Sequence, residues 1–188
     1  MPTARCFIAL DISDALKKKI ERVREKIFLT DLGIRWVRPE NLHLTLKFLG
    51  DVKLDKIDEI IEAIRSLELP EDTLHLQFNM MGVFPDLKHP RIIWLGSDEN
   101  PALTRLASDL ENSLAKMGFS KEKREFKSHL TIGRVKPKHD AKGIAEAVNT
   151  AADKIASEEV IKLITLYKSR LSSEGPQYEV LHQRHFRV

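Results

Sequence analysis

The sequence predicts an α+β protein built from two lobes, and three observations point there. Helix and strand signals alternate along the chain, the last two strands flank a turn-rich segment, and a short histidine-containing strand occurs twice, nearly half the chain apart. Alternation alone would also fit a parallel sheet, but a hairpin and the short gaps between several strands require antiparallel pairing. With 188 residues, 42% of them hydrophobic, the chain is long enough for one core and too short for several independent domains. One domain over residues 1–188 is expected.

Arg5–Leu10 alternates as a strand does, and Ser13 then caps a helix over roughly 13–29, with Leu16, Ile20, Val23 and Ile27 on its apolar stripe. Strands are expected at Ile34–Val37 and His43–Leu49. Leu54, Ile57, Ile60, Ile61, Ile64 and Leu67 mark a second helix that Pro70 closes. Two more strand signals, Thr73–Val83 and Arg91–Leu95, lead to a third helix. Asn100 caps it, Pro101 occupies its first turn, Leu103, Leu106, Leu110 and Leu114 face inward, and Gly118 ends it. After the strand His129–Val135, a fourth helix runs from Ile144 to about Ile155, weakened by Gly143 and Asn149, with Asp140 as an N-terminal capping residue. Strands at Val160–Leu171 and Tyr178–Phe186 enclose the turn Ser172-Ser173-Glu174-Gly175-Pro176.

Composition narrows the function. Cys6 is the only cysteine, so neither an intramolecular disulfide nor a cysteine-based zinc cluster is available. No apolar run is long enough to cross a bilayer as a helix, and the opening residues do not read as a signal peptide, so a cytoplasmic protein without a membrane partner is expected. The net charge of +3 permits a polyanionic partner without requiring one. It is concentrated between Lys121 and Lys138, where Lys121, Lys123, Arg124, Lys127, Arg134, Lys136 and Lys138 face only Glu122 and Glu125.

The informative feature is the repeat. Asn41-Leu42-His43-Leu44-Thr45-Leu46-Lys47-Phe48 recurs in outline as Lys127-Ser128-His129-Leu130-Thr131-Ile132-Gly133-Arg134. Alternation in a strand puts His43 and Thr45 on one face, about 7 Å apart, and Leu44 and Leu46 on the other. His129 and Thr131 stand against Leu130 and Ile132 in the same way. A single histidine in a half-buried strand is usually structural, and threonine is a common strand residue. A second copy at the matching place of a second half is hard to obtain from strand propensity. Two such faces across a cleft supply one group to take a proton from water, one to give a proton to a leaving oxygen, and two hydroxyl donors for phosphate oxygens.

At these residues the chain resembles the 2H phosphoesterase superfamily, whose members carry two His-x-Thr/Ser-x motifs. Within it the chain is most similar to the RNA 2′,3′-cyclic phosphodiesterases of bacteria and archaea, also called 2′-5′ RNA ligases. The resemblance extends over Arg5–Leu10, Glu40–Gly50, Gly82–Pro85, Arg91–Gly96, His129–Val135, Lys168–Leu171 and Gly175–Tyr178. It implies a two-lobed, pseudo-twofold fold of mainly antiparallel sheets, with helices on the outer faces and a central cleft. It also implies His43 as proton donor, His129 as proton acceptor, Thr45 and Thr131 on the phosphate, and no metal or other cofactor. The expected reaction opens 2′,3′-cyclic phosphate ends of RNA to 2′-phosphomonoesters, with 2′-5′ ligation as its reverse. The expected partners are RNA 3′ ends or nucleotides bearing such a phosphate, handled by a monomer. Alternatives are action on small cyclic nucleotides or ADP-ribose cyclic phosphate, and a non-catalytic nucleotide- or RNA-binding module, which a lost histidine would favour.

Other residues carry weaker signals. Arg134 matches a family position for substrate binding, although in an unbroken strand it would face away from Thr131. Phe48 falls opposite Thr45 in an ideal strand, which makes it a core residue. Lys168, Arg170, Tyr178 and Arg184 are secondary candidates for lining the cleft. His75, His182 and His185 lack a threonine two residues on and read as structural or exposed. Neither motif has an acidic neighbour beside its histidine, which argues against a metal site there.

Overall fold

The computed structural model describes residues 2–70, 73–173 and 175–186; Glu174, inside the expected hairpin turn, and the side chains of Ile27 and Asp153 lie outside that description. The elements follow in the order β1 (Thr3–Asp11), α1 (Asp14–Ile27), β2 (Ile34–Trp36), β3 (His43–Lys53), α2 (Ile57–Arg65), β4 (Leu74–Phe84), β5 (Ile92–Ser97), α3 (Pro101–Lys116), β6 (His129–Val135), α4 (Ala141–Ile155), β7 (Ser157–Ile161), β8 (Leu163–Ser172) and β9 (Gly175–His185).

The helix boundaries follow from their caps. Ser13 Oγ accepts from the Leu16 N–H, Asn100 Oδ1 from Leu103 and Asp140 Oδ1 from Gly143, each satisfying a donor that a helix start leaves open. Gly118, at φ 91°, takes the left-handed conformation beyond the end of α3. The second helix starts later than its apolar pattern suggests, because Leu54–Lys56 form a 3-10 turn before α2. The fourth starts earlier, at Ala141, directly after the cap Asp140. Gly143, unfavourable by propensity, is needed there: a Cβ would lie 2.5 Å from an Asp140 carboxylate oxygen and 2.7 Å from Leu32 Cδ2.

Every strand pairing among the described residues is antiparallel, and the sheet runs β7-β4-β5-β6-β3-β1-β8-β9, with β2 against the far part of β6. An approximate twofold axis lies between β3 and β6. It relates β3, β1, β8 and β9 on one side to β6, β5, β4 and β7 on the other. The lobes are not halves of the chain: the first lobe takes its outer strands from the C-terminal part. That explains why the expected single strand Val160–Leu171 is two strands. Its beginning, β7, pairs with β4 in the second lobe, and after Lys162 the chain continues as β8 against β1 in the first. Apolar residues on both sides of Lys162 disguise the crossing. The inward residues of all four helices join those of the sheet in one contiguous core, in which Ile8, Leu10, Leu44, Ile60, Ile64, Phe78, Leu95, Leu110, Leu130 and Leu166 have no exposure.

Each motif strand carries a β-bulge at the same motif position. Along β3 the ladder runs Ala9 opposite Thr45, then Ile8 opposite Lys47, so Leu46 is an extra residue. Along β6 it runs Trp94 opposite Thr131, then Ile93 opposite Gly133, so Ile132 is extra. A bulge breaks the alternation, so two successive residues point inward before it resumes. Leu46 and Lys47 are both buried, as are Ile132 and Gly133, and Phe48 and Arg134 return to the exposed face. Lys47 is thereby carried into the interior, 4% exposed, where its ammonium bonds Glu111 at 2.8 Å and the Ser120 carbonyl at 2.7 Å. The second copy has glycine there because β2 fills the space: a Cβ on Gly133 would lie 2.9 Å from Ile34 Cγ2.

Removing one partner of a buried ion pair costs about 3–5 kcal/mol, because the other is left desolvated. Lys47→Ala should therefore lower the unfolding free energy by about 3 kcal/mol, the low end, since Glu111 keeps 20% exposure. Urea denaturation at unchanged slope measures this. A loss below about 1 kcal/mol, the size of a surface ion pair, would show that the ammonium does not tie α3 to β3.

Candidate active site

His43 opens β3 and His129 opens β6, and the two strands meet at Leu44 opposite Leu130. Both leucines are fully buried, which turns the flanking residues to the other face. Continuing the antiparallel register by one residue either way sets His43 beside Thr131 and Thr45 beside His129. Directly opposed side chains in such a ladder have Cβ atoms about 4.5–5.5 Å apart. The expected quartet is therefore gathered on one face, each member half-buried.

Each imidazole is anchored two residues back along the chain, just before its strand begins. His129 Nδ1 donates to the Lys127 carbonyl at 2.7 Å, and the His43 ring hydrogen-bonds the Asn41 carbonyl. A carbonyl only accepts, so Nδ1 of His129 carries a proton, and the neutral ring keeps a lone pair on Nε2.

The surroundings of the two rings differ. His43 stacks on Phe7 with centroids 4.7 Å apart, meets the edge of Tyr178 at 5.3 Å and lies 6.1 Å from Tyr167. Burial in this cluster lowers its pKa to about 4, against the opposing effects of the Asn41 carbonyl and the Asp11 carboxylate. His129 touches one ring edge-on, Phe84 at 5.4 Å, which stacks on Trp94 at 5.2 Å. Burial also holds the Tyr167 and Tyr178 hydroxyls protonated, strengthened for Tyr167 by its bond to Asp11 and eased for Tyr178 by Arg134.

Arg134 thus stands on the motif face, near Tyr178, because the bulge at Ile132 restores it there. Phe48 is corrected by the equivalent bulge: it is 63% exposed, with its ring 6.0 Å from Phe7, and is not a core residue. Among the secondary candidates, Tyr178 joins the cluster around His43. Lys168 and Arg170 pair with Glu179, and Lys168 lies next to Cys6 on the core side. Arg184 donates to the carbonyls of Ile64 and Leu67 beyond α2. His75 is exposed and bonded to Glu158. Asp140 is the cap of α4, as its position predicted. Among the described residues no three His, Cys, Asp or Glu side chains are grouped to hold a metal ion.

Phe7, Asp11, Phe84 and Trp94 were not singled out from sequence. Phe7 and Asp11 lie in the alternating first strand, and their only signal was odd-numbered spacing on the face that Ala9 shares.

Comparison with known proteins agrees with this geometry. Residues 10–94 and 95–178 each match the family model described as LigT like Phosphoesterase, one match per motif. The RNA 2′,3′-cyclic phosphodiesterase of Methanocaldococcus jannaschii is 36% identical over 95% of this chain and 99% of its own. That of Archaeoglobus fulgidus is also 36% identical, over 94% and 97%. Among solved structures, Escherichia coli LigT complexed with 3′-AMP superposes with a TM-score of 0.77 at 25% identity, covering 98% of both chains. A Thermus thermophilus protein, TT0787, has the same fold, with a TM-score of 0.78 at 22% identity over 96% of this chain and 97% of its own. A motif that repeats across one seam, within a chain that matches one family twice over, places this protein in the LigT-like phosphoesterase family.

Proposed function

We propose that this chain hydrolyses 2′,3′-cyclic phosphate ends of RNA to 2′-phosphomonoesters, residues 1–188 acting as one catalytic domain. The observation that carries the reading is the contact of Leu44 with Leu130, which joins the two motif strands and turns both histidines and both threonines to the same face. Family membership and relatives named RNA 2′,3′-cyclic phosphodiesterase support the choice of substrate.

In this reading neutral His129, its Nδ1 committed to Lys127, uses Nε2 to take a proton from water. The oxygen of that water attacks phosphorus in line, the bond from phosphorus to the ribose 3′ oxygen breaks, and His43 hands that oxygen its proton. The phosphate stays on the 2′ oxygen. Thr45 and Thr131 donate to the non-bridging oxygens, and Arg134 adds a positive charge beside the bound anion. With an RNA 5′ hydroxyl in place of water, the same step gives 2′-5′ ligation as a side activity: the hydroxyl gives its proton to His129 and bonds to phosphorus, and the 3′ oxygen leaves with the proton of His43.

His43→Ala and His129→Ala should each lower turnover by about 10²–10⁴ with the fold retained, since the core contacts belong to Leu44 and Leu130. Thr45→Ala and Thr131→Ala should cost about 1–3 kcal/mol each, the size of a hydrogen bond to a charged group. A histidine variant with near wild-type rates on cyclic-phosphate-ended RNA would remove that residue from the mechanism. Turnover should also survive exhaustive EDTA treatment, and loss restored by a divalent metal would overturn the two-histidine chemistry.

Charge balance sets the pH dependence. His43 must be protonated to act, yet its pKa in the free protein is about 4. The active pair holds one proton between its two rings, and the rate falls on the acid side when it takes up a second, which burial of His43 resists until about pH 4. The acid-side limb of kcat/KM, which reports the free protein, should therefore lie near 4. A bound phosphate anion favours the imidazolium, so the same limb of kcat should lie at higher pH. A kcat/KM limb near the ordinary histidine value of about 6.5 would contradict burial as the controlling effect. The product should resist a phosphatase specific for 3′-monoesters and yield to a general one. Mainly 3′-phosphate would reverse the proposed orientation of the substrate.

A further inference from the structure

The twofold relation poses a question that the motifs leave open: two identical histidine–threonine pairs face each other, and something must decide which histidine gives the proton. Among residues that the pseudo-symmetry makes equivalent, one ionic difference lies directly beside the rings. Opposite His43 on β1 stands Asp11; opposite His129 on β5 stands Gly96. Residues directly opposed in an antiparallel ladder share a face, so Asp11 is on the cleft side with His43. The second lobe has no room for a counterpart, because a Cβ on Gly96 would lie 2.8 Å from Trp94 Cζ3.

Asp11 is fixed by three donors. Tyr167 Oη bonds one carboxylate oxygen at 2.7 Å; Thr165 Oγ1 bonds the other at 2.8 Å, joined by Gln183 Nε2 at 3.2 Å. Thr165 is fully buried, so the arrangement is built into the sheet. Every one of these groups gives a hydrogen to the carboxylate, which suits an ionised Asp11. The other titratable groups around His43 are Tyr167 from β8, Tyr178 from β9 and His129 across the seam, with Arg134 of β6 against Tyr178. The tyrosines are held neutral, which leaves Asp11 as the negative charge that raises the proton affinity of His43.

We propose that Asp11 is a positioning residue that assigns the proton-donor role to His43 and leaves His129 as the base, an assignment that rests on the hydrolytic reading above. It does not touch the substrate. Its carboxylate stabilises the His43 imidazolium that must form beside a ring cluster otherwise hostile to charge, and Tyr167, Thr165 and Gln183 hold it in place.

The test is a histidine titration followed by ¹⁵N NMR, with the His43 signals identified by their loss in His43→Ala. In Asp11→Asn, which keeps the shape and removes the charge, the His43 midpoint should fall by about 1 pH unit. Tyr167→Phe takes one hydrogen bond from the same carboxylate and keeps its charge, so His43 should titrate higher. Asp11→Glu should restore most of the wild-type midpoint. On cyclic-phosphate-ended RNA, Asp11→Asn should lower kcat about tenfold near neutrality, the equivalent of one pH unit, with KM within about twofold. Should Asp11→Asn not fold, the sign of the shift in Tyr167→Phe decides. A His43 midpoint unmoved in the folded variants would overturn the proposal whatever the substrate proves to be. Absence of turnover in the wild-type protein would overturn the hydrolytic reading alone and leave the titration to judge Asp11.

Discussion

The contact of Leu44 with Leu130 is the constraint on which the rest depends. These two residues bring β3 and β6 together at the pseudo-twofold axis, and full burial of each is worth about 1.5–3 kcal/mol. Side chains in a strand alternate with period two, so burying the leucines obliges their neighbours to face the other way. Core packing therefore positions the polar quartet. A slip of one register step would bury imidazoles and expose leucines, and the same hydrophobic energy that holds the lobes together opposes it.

The paired bulges extend this argument. Both follow the motif threonine, and both give the same sequence of burial along six residues. Placing them there reconciles two demands: the polar face must carry residues at motif positions one, three and six, and the core must receive positions two, four and five. Regular alternation cannot do both. The equivalent sites can then diverge without disturbing the ladder. Position five is Lys47 in one lobe, reaching a carboxylate on α3, and Gly133 in the other, under Ile34. Position six is a flat apolar ring at Phe48 and a cation at Arg134, so the cleft has a direction although its motifs do not.

Much of this was legible in the sequence, because repetition and periodicity are local signals. The four helices were visible from apolar spacing and caps, and His43, Thr45, His129 and Thr131 from the repeat. Less legible was whatever depended on register. Ideal alternation puts Phe48 and Arg134 on the wrong face, and a bulge leaves no mark that alternation alone reveals. The break at Lys162 is hidden because apolar residues flank it on both sides, Val160 and Ile161 in β7 and Leu163 and Ile164 in β8. Phe7 and Asp11 on β1 and Tyr167 on β8 lie far from His43 in sequence, and only the β3-β1-β8 ladder brings them around it.

Two identical side chains given opposite tasks must be told apart by their surroundings. Here the surroundings of His43 pull in two directions. Stacking on Phe7 and closure by Tyr178 remove water and disfavour the imidazolium, while Asp11 and the Asn41 carbonyl favour it. Desolvation dominates in the free protein, so the ring rests neutral there. In the proposed reaction a phosphate diester brings the missing charge: its anionic oxygens meet the hydroxyls of Thr45 and Thr131, and in a site stripped of water that charge acts strongly on the ring. The acid is thus armed by the group it serves. An imidazolium formed against a bound anion is present when the substrate is, and its proton passes to the ribose 3′ oxygen as negative charge develops there.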